Sequence, residues 1–167
     1  MPRDAISMRI QHEGLEWLVT AIRAEEDGKQ LRRELAKELR DTLKPAAAQA
    51  KSGIMAMSSA GPGTSPALRP SIAKRIRPEV KLGGRWTGAR IKARKTPNIR
   101  GFANAPKRTQ SRKGWRTDTF GRDNWRVQFG RVEWFDRAVA ADADSYRRAC
   151  QQALDDMAAR IAARARG

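Results

Sequence analysis

The sequence predicts an α+β fold, with two long helices packed on a small, largely antiparallel sheet and a long basic loop. Three observations carry this reading. Leu31, Leu35, Leu39 and Leu43 recur every four residues, the period of a helix with one buried stripe. A second stripe runs through Phe135, Val139, Tyr146, Cys150, Leu154, Met157 and Ile161. Between them lie short stretches of strand-like alternation, too few and too close together for a doubly wound sheet.

In chain order, Ile6, Met8 and Ile10 alternate, which suits a short strand over residues 5–11. Gly14 ends it. Leu15, Leu18, Val19 and Ile22 follow at helical spacing with Trp17 beside them, and Asp27-Gly28 marks a turn. The long helix begins at Lys29, and Ala46, Ala47, Ala50, Ile54 and Met57 extend its leucine stripe. Arg33, Glu34, Lys37 and Glu38 fall on its wet face, where pairing at i, i+4 is expected. Pro45 lacks a backbone donor, so a kink or break is expected there.

Residues 58–66 read as a loop by composition. Leu68, Ile72 and Ile76 suit a short helix with Pro70 in its first turn. Residues 78–82 and 89–93 read as strands joined by a glycine-rich connector that includes Trp86. Residues 95–113 contain Pro97, Pro106 and many cations but few apolar side chains, the composition of a mobile basic arm.

The stretch from Gly114 to Ala138 holds six of the ten aromatic residues, Trp115, Phe120, Trp125, Phe129, Trp134 and Phe135. Large rings carry the greatest burial per residue, so these six are predicted to anchor the core. Trp125, Val127 and Phe129 alternate with polar residues and share one face of a strand, with Gly121 and Gly130 as flanking turns. The C-terminal helix is expected to run from about Trp134 to near the end and to cover that face.

A chain of 167 residues reads as a single domain, 1–167. Within it, 1–58 forms the N-terminal strand and helices, and 59–94 the loop, short helix and strands. The basic arm is 95–113, and 114–167 the aromatic strand and C-terminal helix. The formal net charge is +17, and it is concentrated: 19 Lys or Arg stand against three acids between Arg69 and Arg131. Such a segment repels itself unless a polyanion or an acidic partner lies against it. Cys150 is the one cysteine and has no internal partner, as expected in a reducing cytosol. No apolar run reaches the roughly 18 residues of a membrane span.

Catalytic chemistry finds little footing. His12 is the one histidine, with no serine or cysteine arrangement around it, so it reads as a surface residue. No catalytic, cofactor or metal residues are predicted, because His, Cys and carboxylates do not cluster. Asp142, Asp144, Asp155 and Asp156 read as solvated helix acids paired with Arg147, Arg148 or Arg160. The segment from Gly61 to Ser65 lacks the Gly-Lys-Ser/Thr ending of a phosphate loop. Cys150 reads as core packing.

The remaining signal is binding. Arg90, Lys92, Arg94, Lys95, Arg100, Lys107, Arg108, Arg112, Lys113 and Arg116 form a basic arm in which Trp86, Phe102 and Trp115 are scattered. Cations among aromatics can grip phosphates and stack on bases. The competing reading is an assembly arm that meets acidic neighbours in a multimer. No helix-turn-helix, zinc-finger or RNA-binding signature accompanies the charge.

At these residues the chain resembles a known family. Gly114-Trp115-Arg116, Phe120-Gly121-Arg122, Trp125, Gln128 and Trp134-Phe135 are similar to a pattern near the C-terminus of small head–tail connector (neck, or tail-component) proteins of long-tailed bacteriophages, of the actinobacteriophage type. That family usually has His-Pro where Thr117-Asp118 stand here. Leu68-Arg69, Ser71-Ile72-Ala73, Val80-Lys81 and Gly83-Gly84 resemble its helix-to-strand passage, and the N-terminal strand, Gly14-Leu15 and long charged helix also fit.

The resemblance implies no enzyme activity and no cofactor. It implies a virion structural protein, assembled in the host cytoplasm into a cyclic homo-oligomer, six-fold or twelve-fold, at the junction of capsid and tail. Its implied partners are neighbouring neck, portal-side and tail-tube proteins, and the double-stranded genomic DNA that passes through the ring. The alternative function is a free basic protein that binds DNA or RNA without sequence preference.

Overall fold

The computed structural model describes residues 6–10, 14–58, 68–99, 101–118 and 125–166. The chain is α+β, as its periodicities predict. Its elements are β1 (Ile6–Ile10), α1 (Leu15–Ala24), α2 (Gly28–Met55), α3 (Leu68–Lys74), β2 (Ile76–Lys81), β3 (Gly88–Ala93), α4 (Ala105–Gln110), β4 (Trp115–Asp118), β5 (Trp125–Gln128), α5 (Trp134–Ala140) and α6 (Ala143–Arg164). One sheet has the strand order β1-β3-β2, and β4 and β5 form a separate two-stranded sheet. The connector between β2 and β3 is too short for a parallel crossover, which needs a dozen residues or more, so these neighbours run antiparallel.

The chain divides into two compact units. One unit comprises residues 1–7, 47–77 and 92–141; the other comprises 8–46, 78–91 and 142–167. Each has its own apolar interior. In the unit containing α1 and α6, Leu15, Leu18, Val19 and Ile22 are buried from α1, and Leu31, Leu35, Leu39 and Leu43 from α2. Leu82, Ala89 and Ile91 add the strand contribution, and Tyr146, Cys150, Leu154 and Met157 add the α6 stripe. Trp17, next to the α1 stripe in sequence, stays exposed.

The other unit buries Ala47, Ala50, Ile54 and Met57 with Ile72, Ile76, Ala93 and Ala105, and packs Trp134, Phe135 and Val139 of α5 among them. At Gly53 the helices α2 and α5 lie close: a Cβ there would make ordinary contact, 3.6 Å from Cβ of Ala138 and 3.5 Å from the Trp134 carbonyl. Trp134 and Phe135 meet edge to face, with centroids 5.7 Å apart, a favoured aromatic geometry. Arg69 extends from α3 to donate a 2.6 Å hydrogen bond to the Met57 carbonyl.

Several expectations are corrected. The helix α2 runs through Pro45 unbroken. Pro45 and Asp41 both lie on the exposed face, so the carbonyl deprived of its donor can turn to water. The C-terminal helix is two helices, α5 and α6. Asp142 leaves helical geometry, with φ −125° and ψ 26°, and its carbonyl starts α6 by accepting from the Tyr146 amide. Glu34 and Glu38 do not pair along α2 with its own cations. Both accept from Arg160 of α6, at 3.4 and 2.9 Å. Asp155 and Asp156 accept from Gln151 and Gln152, one turn back, while Asp144 does pair with Arg147.

Residues 95–99 and 101–113 are folded, not a loose arm. Thr96 is fully buried, and its hydroxyl donates to the Phe102 carbonyl at 2.9 Å. The helix α4 follows, with Ala105, Pro106 and Thr109 buried. Gln110 then caps α5 from a distance. Its side-chain oxygen accepts from the amides of Phe135 and Asp136 at 3.0 and 3.3 Å, and its side-chain nitrogen donates to the Asp136 carboxylate at 2.9 Å. These amides are among the unpaired donors of a helix's first turn. Glu133, at φ 57°, is held in the left-handed region while its carboxylate pairs with Arg112 at 2.7 Å. That guanidinium holds the Glu133 carboxyl below its ordinary range. Composition misses all of this because the segment is fixed largely by polar side-chain bonds, with only the small apolar contribution of Ala105 and Pro106.

A candidate basic and aromatic interface

The six predicted core anchors separate. Trp134 and Phe135 are buried, and Trp115 is half-buried, 5.2 Å from Phe102 between ring centroids. Trp125 and Phe129 are not core: they are 54% and 65% exposed, and Val127 between them is 51% exposed. Phe120 lies outside the described residues, as does most of the predicted loop 58–66.

The reason is the hairpin. The strands β4 and β5 pair antiparallel, with Trp115 opposite Gln128 and Arg116 opposite Val127. Directly opposed residues share a face. Trp115 and Gln128 therefore occupy one face, and Trp115 meets Phe102 there. Trp125, Val127 and Arg116 occupy the other face. Nothing among the described residues covers that second face: the alternation is that of a strand, but its apolar side lies open.

The basic arm also divides. Arg90 is committed to the protein: it pairs with Glu79 at 2.6 Å and lies 4.3 Å from the centroid of the Trp86 ring. Lys92 is half-buried in β3. Arg94, Lys95, Lys107, Arg108, Lys113 and Arg116 are exposed, and Arg108 sits 5.6 Å from the Phe102 ring centroid. Arg112 is exposed but paired with Glu133. Arg100 lies outside the described residues, as does His12.

A second basic feature went unread in the sequence. A groove of about 450 Å³ is lined by Lys29, Arg32, Arg33, Ala36 and Arg40 of α2 and by Val80, Lys81, Leu82 and Gly83 at the end of β2. All of these residues belong to one unit. The Arg32 guanidinium donates to the Leu82 carbonyl and so ties the two walls together. Gly83, at φ 111°, takes a backbone conformation that residues with side chains rarely adopt. The available signal was the spacing of Lys29, Arg33, Ala36 and Arg40, one helical stripe on the wet face. What no spacing reveals is the β2 end that faces it.

Among the described residues no group of three His, Cys, Asp or Glu could hold a metal ion, and no helix is long and apolar enough to cross a membrane. The Cys150 thiol is fully buried, and burial pushes it up to about 11, so it stays protonated near neutral pH. No protein-family model, curated protein or solved structure matches the chain.

Proposed function

We propose that this chain is a virion structural protein of the bacteriophage head–tail junction, a ring subunit that joins the portal side of the capsid to the tail around the DNA passage. The observation that carries the proposal is the uncovered hairpin face. Trp125, Val127 and Phe129 together expose apolar surface of a kind that isolated globular chains bury. Aromatic residues beside arginine are the composition of protein–protein hot spots, and Arg116 supplies the arginine here. In a ring, the same face repeats around the axis against a neighbouring subunit or tail component. The sequence resemblance described above supplies the kind of assembly.

The second reading, a free nucleic-acid-binding protein, is favoured by the cations lining the α2 groove. The two readings separate on one experiment. Purified particles are imaged by cryo-electron microscopy, and the density at the neck is matched to this fold. A cyclic assembly of the chain with the hairpin face buried against a neighbour supports the first reading. Its absence from mature particles, together with a monomeric purified chain by light scattering, removes it.

A further inference from the structure

We propose that the groove between α2 and the β2–β3 turn binds the phosphate backbone of duplex DNA. It is a different site from the segment 90–116 on which the charge of the sequence concentrates, and it stands independently of the assembly proposed above.

The first argument is electrostatic. Lys29, Arg32, Arg33, Arg40 and Lys81 line the groove, and no acid does. Lys29, Arg33 and Arg40 make no ion pair with the described residues, although α2 itself carries Glu34, Glu38 and Asp41. Those acids are engaged elsewhere: Glu34 and Glu38 with Arg160, and Asp41 with Lys44. The guanidinium groups of Arg23 and Arg32 also converge on Gly83. Like charges gathered around a concave surface repel one another, and an anion placed between them relieves that repulsion.

The second argument is geometric. Lys29, Arg33, Ala36 and Arg40 stand at i, i+4, i+7 and i+11, so they form one straight row. At about 1.5 Å of rise per residue, the row extends roughly 16 Å along the helix. Successive phosphates of a duplex strand advance about 3.4 Å along the axis while winding around it, so a straight row of this length can meet a few of them. Ala36 in the middle of the row is small, which leaves room between the cations of α2. Arginine's planar fork suits phosphate oxygens, and three of the five cations are arginine.

The third argument selects duplex over single strands. Single-strand grooves present aromatic rings on which bases stack. None of the groove's lining residues is aromatic. The ring beside it, Trp86, is occupied by Lys81 and Arg90, at 5.5 and 4.3 Å. The groove can hold a backbone but offers bases nothing to stack on.

The test uses the full-length chain and a short fluorescein-labelled DNA duplex of mixed sequence, read by anisotropy between about 50 and 200 mM salt. The parent is expected to bind with a steep, sequence-independent salt dependence. The double variant Arg33→Gln/Arg40→Gln should bind at least about tenfold more weakly, with a log–log salt slope shallower by about two. Lys29→Gln/Lys81→Gln, one cation from each wall, should behave alike, and Arg33→Lys/Arg40→Lys should retain most of the binding. Lys107→Gln/Arg108→Gln on α4 should stay within about twofold of the parent. Melting curves that coincide with the parent show which variants are folded. The proposal is overturned if folded groove variants bind as the parent does, or if the α4 variant alone accounts for the loss. Displacement of the duplex by polyglutamate at equal charge also overturns it, by pointing to an acidic protein instead. Incorporation of the groove variants into particles reads the assembly proposal separately.

Discussion

The indole N–H of Trp134 donates a 3.1 Å hydrogen bond to the hydroxyl of Thr109, and both side chains are buried. This bond joins α5 to α4 across a sequence separation of 25 residues. The Thr109 hydroxyl donates in turn to the Ala105 carbonyl at 2.8 Å. A buried polar chain of this kind holds the segment that composition assigns to a loose arm.

Removing the acceptor should therefore cost more than its size suggests. Thr109→Val keeps the shape but leaves the indole N–H buried without a partner, at about 1–3 kcal/mol. Trp134→Phe removes the donor and leaves a void. The double variant should be less destabilised than the two single losses combined, because Val beside Phe leaves no orphaned indole donor. Urea unfolding of all four proteins measures the coupling, and strict additivity would mean the bond contributes nothing.

Trp125 and Trp134 should part company. Trp134→Ala empties a filled core position and should cost about 3–5 kcal/mol. Trp125→Ala removes a ring already 54% exposed and should cost clearly less, about 1–2 kcal/mol. Its effect should appear as weaker self-association or poorer incorporation into particles. Thermal unfolding beside analytical ultracentrifugation reads both quantities. Marked destabilisation by Trp125→Ala would show that the hairpin face is covered within the subunit.

The α4–α5 junction should be sensitive to small changes. Gln110→Ala leaves the Phe135 and Asp136 amides without their acceptor and should cost about 0.5–2 kcal/mol, as loss of a helix cap does. Gly130→Ala should cost about 1–3 kcal/mol, because its Cβ would strike the Thr109 carbonyl, a backbone atom with little freedom to move. Amide exchange at Phe135 and Asp136 should accelerate in both variants. Protection equal to the parent's would indicate that α5 is capped by something other than Gln110.

Cys150 should be silent in the folded protein. Its thiol, raised by burial from 9.0 to about 11, resists ionisation, so iodoacetamide at pH 8 should label it only as the chain unfolds. The same shift sets a sign for stability. The folded state holds this proton more tightly than the unfolded state does. Its contribution is therefore complete below about pH 9 and is lost as pH rises toward 11. Cys150→Ala should flatten that alkaline decline. Rapid native labelling would show that the helix α6 opens locally.

The sequence by itself determined α1, α2 and the buried stripes of α5 and α6, though not α4 or the break at Asp142. Leu15, Leu18, Val19 and Ile22, then Leu31, Leu35, Leu39 and Leu43, lie inward as their spacing requires, because a regular helix turns local order directly into a face. The strands around Val80 and Ile91 were legible for the same reason. Tertiary structure alone decided what covers each face. Alternation places Trp125, Val127 and Phe129 together, but only the pairing with β4 and the position of Phe102 determine that Trp115's face is occupied and theirs is open. It also decided that Gln110 caps α5 and that the Thr109 hydroxyl accepts the Trp134 indole N–H, bonds between positions with no local relation. The basic groove belongs with these: α2 supplies its row of cations, and only folding sets the Lys81–Gly83 wall opposite them. Periodicity records the geometry of one element, whereas burial, capping and grooves depend on which two elements meet.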